Sequence, residues 1–290
     1  MKKRIISFLE YYPRLYNLLK GTKKITMDFI YNRKQSVEYW YDMSLLTDAP
    51  WENMVHNSDN MNKIFSTTHK QLLKLVSNGD FTLTQFDQYK NIDIYKKLNQ
   101  LMWRHYIVFW TSLYSARSTQ SNIKNYVEMG VADGLTIYFA INAVKEYKFD
   151  FKAYLYDTWD KVLLDNPSTL GKQFEYDYLD INVTKNNLNA FNDKLYFKRG
   201  MIPETFNGKD EPKSIVWMSL DLNSNKPTIE SLDYYWDRLE SGGVILIDDY
   251  AQQTYVDTKR SIDIWISKHN NSLLFQVPTS QAIIFKTNNK

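Results

Sequence analysis

Residues 125–134 read N-Y-V-E-M-G-V-A-D-G, and the prediction of the fold starts from them. A short apolar run ends in Glu128, a loop with two glycines follows, and apolar residues then recur at helical spacing over 135–147. This pattern predicts a strand, a tight turn and the start of a helix, the unit with which α/β proteins bind a nucleotide-like ligand. Gly130 and Gly134 can adopt positive φ and, lacking a Cβ, let a ligand approach the backbone.

The spacing of the glycines bears on the kind of ligand. The pattern is E-x-G-x-x-x-G, and the second glycine of the dinucleotide pattern G-x-G-x-x-G is missing after Gly130. A pyrophosphate is therefore not expected. Glu128, at the carboxyl end of the predicted strand, can accept hydrogen bonds from a cationic amine or a hydroxyl. A zwitterionic ligand without phosphate, such as S-adenosylmethionine, suits the loop better, and an ordinary strand–turn–helix is the alternative.

The composition narrows the class of protein. The chain has 290 residues, 43% of them hydrophobic and 24% charged, as in a soluble globular protein with one large domain or one domain plus an appendage. The absence of cysteine excludes disulfides, thiolate zinc sites and a cysteine nucleophile. The net charge of +3 is too small to indicate nucleic acid by itself. No apolar run reaches the roughly 18 residues of a membrane span and no signal peptide is recognised, so we expect a cytoplasmic protein.

The N-terminal region differs from the rest of the chain. Residues 1–24 hold seven Lys or Arg and one Glu, a net charge of +6, with apolar residues along one helical face. Such a helix can contact an anionic membrane, but packing against protein is the favoured interpretation. From about residue 25 to 115 the chain is aromatic-rich and helical in pattern. We predict a helical appendage or lid over 1–120, which would suit a homodimer, and a ligand-binding domain over 121–290.

Strands and helices alternate downstream of residue 125. Further strands are predicted at 151–156, 195–198, 214–220 and 244–247, a closing hairpin at 273–277 and 282–285, and helices at 228–240 and 254–269. The first of these helices is expected to end in the turn Ser241-Gly242-Gly243. Apolar strands between helices predict an α/β fold with a mostly parallel sheet of seven strands, covered on both faces and ending in an antiparallel hairpin.

Acidic residues directly follow the predicted strands. They are Glu128, Asp157, Asp221, Asp248 and Asp249. Because ligands of open α/β sheets bind outside the carboxyl ends of the strands, we expect the five to converge on one crevice, where they need a cation. We assign the first two to the amine and ribose of a cofactor, and the last three to a metal. Oxygen-only ligands favour Mg²⁺ over zinc, although a single acid after a strand is often only a helix cap.

Four more segments complete a family pattern. They are Y-D-T-W-D at 156–160, K-R-G-M-I-P-E-T-F at 198–206, L-D-L-N at 220–223 and G-G-V-I-L-I-D-D-Y at 242–250. Together with residues 126–134 they resemble the class I S-adenosylmethionine-dependent methyltransferases, most closely the macrocin O-methyltransferase type, which methylates sugar hydroxyls with the help of a metal. The resemblance covers roughly residues 125–286 and does not extend into 1–115.

The resemblance implies a Rossmann-like methyltransferase fold and a set of site residues. The cofactor-binding residues would be Glu128, Gly130, Gly134, Asp157, Thr158, Gly200, Met201 and Asp221. The metal ligands would be Asp221, Asp248 and Asp249, and the catalytic residues Asp221, Asn223 and Asp249. The implied cofactors are S-adenosylmethionine and Mg²⁺ or another hard divalent cation, and the implied partner is a small-molecule acceptor, a sugar or a glycoside.

One position departs from the family pattern. The segment after the fourth strand usually has two acids separated by one residue, and the second is the candidate general base; here it is Asn223. An amide can orient a hydroxyl but cannot take its proton. Metal coordination could lower the hydroxyl's pKa enough for water to accept the proton, or activity could be weak or lost. A base elsewhere is the third alternative, with candidates Lys226, Tyr250, His69 and His105.

The predicted function is an S-adenosylmethionine- and Mg²⁺-dependent O-methyltransferase acting on a hydroxyl of a sugar or a glycosylated small molecule. A binding module with the same fold but weak or no activity is the alternative that Asn223 motivates. An NAD-dependent oxidoreductase is disfavoured by the missing glycine. No nucleic-acid partner is expected, since no basic stripe accompanies the motifs and no N-P-P-Y or D-P-P-Y sequence is present to hold a flipped base.

Overall fold

A computed structural model describes residues 60–87, 93–163, 174–252 and 255–288. The basic segment 1–24, for which membrane contact was weighed, lies outside the described residues, as does most of the aromatic stretch that precedes residue 60. Within the described ranges, no helix is both long enough and apolar enough to cross a membrane.

A mixed sheet of seven strands forms the centre of the fold. The strands are β1 (Ile123–Met129), β2 (Asp150–Asp157), β3 (Leu195–Arg199), β4 (Ile215–Leu220), β5 (Leu239–Ile247), β6 (Ser272–Gln276) and β7 (Ala282–Lys286). Their order across the sheet is β3-β2-β1-β4-β5-β7-β6. The first five strands are parallel to one another, whereas β7 pairs antiparallel with both β5 and β6. The predicted α/β fold with a C-terminal antiparallel hairpin is confirmed.

Helices cover both faces of the sheet. They are α1 (Asn60–Asn78), α2 (Ile94–Gln100), α3 (Met102–Ser118), α4 (Leu135–Glu146), α5 (Ile181–Asn187), α6 (Asn225–Trp236) and α7 (Val256–Ser267). All six residues of β4 are buried, because helices lie on both sides of this central strand. Trp217 and Phe139 belong to the core on one face, and Tyr156 and Tyr235, whose hydroxyls lie 2.7 Å apart, to the core on the other.

Helix α3 packs directly on the sheet. It contacts α4 and the strands β4 and β5. Thr111 Oγ1 accepts a hydrogen bond from Trp217 Nε1 at 3.0 Å, and the carbonyl oxygen of Ser112 accepts one from the Tyr126 hydroxyl at 2.9 Å. The last helix before residue 120 is thus fastened to β1 and β4. The proposed division into domains at residue 120 stays a prediction.

Some boundaries differ from those predicted. At its C-terminal end, the predicted helical region contains two consecutive helices, α2 and α3, which are separated by Leu101. The turn Ser241-Gly242-Gly243 was predicted wrongly as the end of a helix, since α6 ends at Trp236 and these residues lie inside β5. The register between β4 and β5 shifts here, and Gly242 has φ +83°. A Cβ on Gly242 would lie 2.4 Å from the carbonyl oxygen of Ser118, so the bulge makes room for the end of α3.

A short antiparallel pair, Val162–Leu163 with Phe174–Glu175, was not predicted. It lies between β2 and α5, where no strand was predicted. Two-residue strands are too short to produce a recognisable alternation of apolar and polar residues, so the pattern contained no signal for them.

Gly130 provides a test of how the loop after β1 fits the sheet. Its φ is +82°, and a Cβ there would lie 1.9 Å from the carbonyl oxygen of Asp221. We expect Gly130→Ala to lower the free energy of unfolding by more than about 3 kcal/mol, because backbone strain and a backbone clash add. Gly79→Ala is the control, since Gly79 has φ +77° but open space around it, so only strain of about 1–2 kcal/mol is expected. Equilibrium urea unfolding measures both, and equal losses would contradict the clash.

Candidate functional site

The predicted acids lie at the carboxyl ends of four adjacent strands. Glu128 is the second-to-last residue of β1, and Asp157 is the last residue of β2. Asp221 follows β4, and the pair 248–249 follows β5. Since these strands are parallel neighbours in the order β2-β1-β4-β5, their ends meet at one edge of the sheet.

The glycine loop after β1 is held by the neighbouring strand. The amide of Gly130 donates to the carbonyl oxygen of Tyr156 at 2.9 Å, and the amide of Ala132 donates to Asp157 Oδ2 at 2.8 Å. Trp159 Nε1 donates to the carbonyl oxygen of Ala132 at 3.1 Å. Gly134, with φ +86°, precedes the first turn of α4. Asp157 therefore stabilises the loop, a role that the sequence did not indicate, and its predicted contact with a ribose stays a prediction.

Glu128 is a buried carboxylate. Its side chain is only 2% exposed, and its Oε2 has no hydrogen-bond partner among the residues that the structure describes. Burial, followed by the charges of Asp221 and Asp157, raises its pKa well above the ordinary value. An unsatisfied buried carboxylate oxygen is costly, so an ammonium or hydroxyl donor of a ligand would be stabilised there.

Asp221, Asp248 and Asp249, which we call the acidic cluster, come together in space. One carboxylate oxygen from each lies within 4.8 Å of the others. Asp221 Oδ1 and Asp249 Oδ2 are buried and have no hydrogen-bond partner in the described parts of the chain. Burial and the charge of Asp248 raise the pKa of Asp221 to about 7, and burial and the other two acids raise the pKa of Asp249. These hard oxygen donors fit Mg²⁺ chemically; their role as metal ligands stays a prediction.

Arg104 joins the acidic cluster and was missed by the sequence analysis. Its Nη2 lies 2.9 Å from Asp221 Oδ2 and 2.8 Å from Asp248 Oδ2. It extends from the first turn of α3, in a part of the chain where no motif was recognised. A signal was present, because Arg104 is the one charged residue in the apolar stretch 101–113, and arginines are seldom buried without a partner.

Asn223 is held between two tyrosines. Its Nδ2 donates to the Tyr176 hydroxyl, and its Oδ1 accepts from the Tyr255 hydroxyl, both at 2.8 Å. Its φ of +52° is in the left-handed region that asparagine tolerates better than most residues. Asn223, Asp249 and Tyr255 line one small pocket. The tyrosines could not be predicted, because they lie 47 and 32 residues away from Asn223 in the chain.

The two histidines considered as bases take part in helix packing. His105 stacks on Phe139 with ring centroids 4.4 Å apart, and burial lowers its pKa well below the ordinary value. His69 Nε2 is hydrogen-bonded to Asn99 Oδ1 at 2.9 Å. Both rings are buried, with His69 bonded to α2 and His105 stacked on α4.

The other two candidate bases are engaged elsewhere. The Tyr250 hydroxyl donates to Asp263 and accepts from Lys259 Nζ at 2.9 Å, and burial raises its pKa. The Lys226 side chain is 76% exposed, with its Nζ 3.9 Å from a carboxylate oxygen of Glu230. Neither contact directs a base toward the acidic cluster.

The remaining predicted cofactor residues lie at the ends of β2 and β3. The amide of Gly200 donates to the carbonyl oxygen of Asp157 at 2.9 Å, and Gly200 has φ +141°. Thr158 Oγ1 donates to the carbonyl oxygen of Asp160 at 3.2 Å. Met201 is 51% exposed. The strand order thus places these residues beside the glycine loop, and their contacts with a cofactor stay predictions.

Comparison with known proteins identifies the fold. No family model and no curated protein matches the sequence. The O-methyltransferase NovP matches in structure with a TM-score of 0.55 and 13% identity, over 64% of this chain and 81% of its own. The calicheamicin methyltransferase CalS11 matches with a TM-score of 0.51 and 16% identity, over 81% of this chain and 95% of its own. The chain has the Rossmann-like methyltransferase fold; its resemblance to the macrocin type stays a prediction.

The raised pKa of Glu128 predicts a pH-dependent stability. Between the ordinary value of about 4.5 and the raised pKa, the folded protein keeps a proton that the unfolded chain has released, so stability falls as pH rises. We expect the thermal midpoint of Glu128→Gln to equal that of the wild type near pH 4 and to exceed it by several degrees at pH 8. Asp150→Asn is the control, because Asp150 is an exposed partner of Lys194. If the thermal midpoints of wild type and Glu128→Gln changed with pH in the same way, the raised pKa of Glu128 would be contradicted.

Proposed function

We propose that the protein is an S-adenosylmethionine-dependent O-methyltransferase that acts on a hydroxyl of a sugar or glycosylated small molecule with the help of a divalent ion, Mg²⁺ by preference. One observation carries the proposal. Three buried carboxylate oxygens without a hydrogen-bond partner in the described chain, Glu128 Oε2, Asp221 Oδ1 and Asp249 Oδ2, lie at the edge of the sheet where the glycine loop begins. Such oxygens are stabilised by a cationic ligand and a cation, the pair that this reaction uses.

The binding of the cofactor follows from the loop and its neighbours. Gly130 and Gly134 have positive φ, which lets the loop turn tightly between β1 and α4, and Asp157 holds the loop through the amide of Ala132. The free oxygen of Glu128 would accept from the amine of S-adenosylmethionine. The likeness to NovP and CalS11, both methyltransferases by name, supports this class of cofactor.

The reacting hydroxyl of the acceptor would enter the small pocket lined by Asn223 and Asp249. The bound cofactor supplies an electrophilic methyl group, and a bound divalent ion lowers the pKa of a coordinated hydroxyl. Asn223 would orient the hydroxyl, and water would accept the proton, because Asp249 is one of the proposed ligands of the ion. In the net reaction the oxygen exchanges its proton for the methyl group and S-adenosylhomocysteine is released. Because the chain provides mainly positioning, the rate depends on holding the oxygen in line with the methyl group.

Binding without turnover is the second candidate function. It is favoured by Asn223, whose amide stands where the family has a base and is already hydrogen-bonded on both sides by Tyr176 and Tyr255. Asn223→Asp separates the two candidates, since an aspartate at this position restores the family pattern. A wild type that binds the cofactor but transfers no methyl group, with activity appearing in Asn223→Asp, would establish the binding module.

Calorimetry and methyl transfer test the proposal together. Isothermal titration with S-adenosylmethionine should show binding, and titration with NAD should show none. Transfer of a labelled methyl group to a panel of nucleotide sugars and glycosides should then depend on Mg²⁺ and stop with EDTA. Binding of NAD in preference to S-adenosylmethionine would overturn the proposal.

The two groups of acids should respond differently to substitution. Asp249→Asn should reduce methyl transfer at least 100-fold and change the Kd for S-adenosylmethionine less than threefold, because it removes a proposed ligand of the ion. Asp157→Ala should raise that Kd at least tenfold, because it removes the carboxylate that accepts from the amide of Ala132 in the glycine loop. Asp257→Asn, an exposed acid on α7, is the matched control. Equal loss of cofactor binding in the first two variants would show that the acids are not divided in this way.

A further inference from the structure

We propose that Arg104 is a built-in counter-cation of the acidic cluster and that it confines a divalent ion to Asp221 and Asp249, leaving Asp248 as a positioning residue. The inference rests on the proposed function in so far as it assumes a metal at this edge of the sheet. It differs from the family-derived expectation, in which all three aspartates are ligands.

The first argument is the use of each carboxylate oxygen. Asp248 Oδ2 lies 2.8 Å from Arg104 Nη2, and Asp248 Oδ1 accepts from Gln281 Nε2 at 3.0 Å. Both oxygens of Asp248 are therefore already engaged by side-chain donors. Asp221 is engaged by Arg104 through Oδ2 only, at 2.9 Å. Its Oδ1, like Asp249 Oδ2, has no partner in the described chain, so an ion finds its protein ligands on these two residues.

The second argument is charge. Three ionised carboxylates contribute −3 and Arg104 contributes +1, which leaves −2, the charge that one divalent ion neutralises. Asp249 is only 7% exposed and its Oδ2 faces no donor among the described residues, so a remaining negative charge there is stabilised little by solvent. One divalent ion would thus neutralise the net charge of the acidic cluster and Arg104.

The third argument is the anchoring of Arg104. Its helix α3 is fastened to the sheet by the Thr111 and Ser112 hydrogen bonds, and a guanidinium is a planar donor that never loses its charge. The positive charge is therefore a permanent part of the site. It repels a divalent ion nearby, so it lowers the affinity of the site and keeps the ion away from Asp248.

Binding of Mn²⁺ to the full-length chain without S-adenosylmethionine tests the inference. Free Mn²⁺ is measured by electron paramagnetic resonance, and circular dichroism confirms folding. Arg104→Met, which keeps an apolar stem but removes the charge, should bind Mn²⁺ at least tenfold more tightly than the wild type. Arg104→Lys keeps the charge and should stay within threefold of the wild type. Arg117→Met is the matched control, because Arg117 lies on the same helix over the ring of Tyr147 and should change nothing.

A pair of isosteric variants tests the division between the aspartates and does not depend on the folding of Arg104→Met. Asp249→Asn and Asp248→Asn each remove one negative charge, but Asp249→Asn should weaken Mn²⁺ binding at least tenfold more, because only Asp249 has an oxygen without a hydrogen-bond partner in the described chain. Equal losses in these two variants, or Mn²⁺ affinity in folded Arg104→Met that is unchanged, lower or undetectable, would overturn the inference.

The outcomes separate this inference from the proposed function. Methyl transfer that proceeds in EDTA, together with tight Mn²⁺ binding only in Arg104→Met, would remove the metal from the proposed function and leave the role of Arg104 intact. Mg²⁺-dependent transfer with equal metal affinity in wild type and Arg104→Met would support the metal in the proposed function and overturn the role of Arg104.

Discussion

The repulsion between carboxylates at one edge of the sheet is the constraint on which the rest of the site depends. Parallel strands end at the same edge, so an acid after each of four neighbours brings like charges together. Burial makes this costly, and the pKa of Asp221, raised to about 7, reflects the cost. The protein offsets part of it with Arg104, which contacts two of the three acids. Asp221 Oδ1 and Asp249 Oδ2 have no hydrogen-bond partner in the described chain, so a bound cation would stabilise them.

The same edge couples the glycine loop to the acidic cluster. Gly130 approaches the backbone of Asp221 so closely that no side chain fits between them. The carboxylate of Asp157 accepts a hydrogen bond from the loop amide of Ala132. The amide of Gly200, just after β3, donates to the carbonyl oxygen of Asp157. A change in the loop therefore moves the backbone that carries the proposed metal ligand. The proposed cofactor and metal positions would therefore depend on each other, because close-packed backbones transmit small shifts.

The proposed acceptor side of the site adds neutral hydrogen-bonding groups to the acid Asp249. Asn223 exchanges hydrogen bonds with the hydroxyls of Tyr176 and Tyr255, which come from distant parts of the chain. The Asn223 amide and the two phenol groups can each donate a hydrogen bond to a hydroxyl or accept one from it, and all three groups are uncharged. Such a surface suits a polyhydroxylated molecule. In the proposed function, the departure from the expected pattern at Asn223 would lie on the acceptor side of the site.

The sequence by itself determined the strands, their largely parallel order and the acids at their ends, because apolar periodicity and strand-end chemistry are local properties. It misplaced the end of α6, since a glycine pair within a bulged strand reads like a helix cap. Only the tertiary structure decided which groups neutralise the acids. Arg104 lies 117 residues before Asp221 and on a helix without a motif, and contacts over such separations depend on how α3 packs on β4 and β5 rather than on any pattern along the chain.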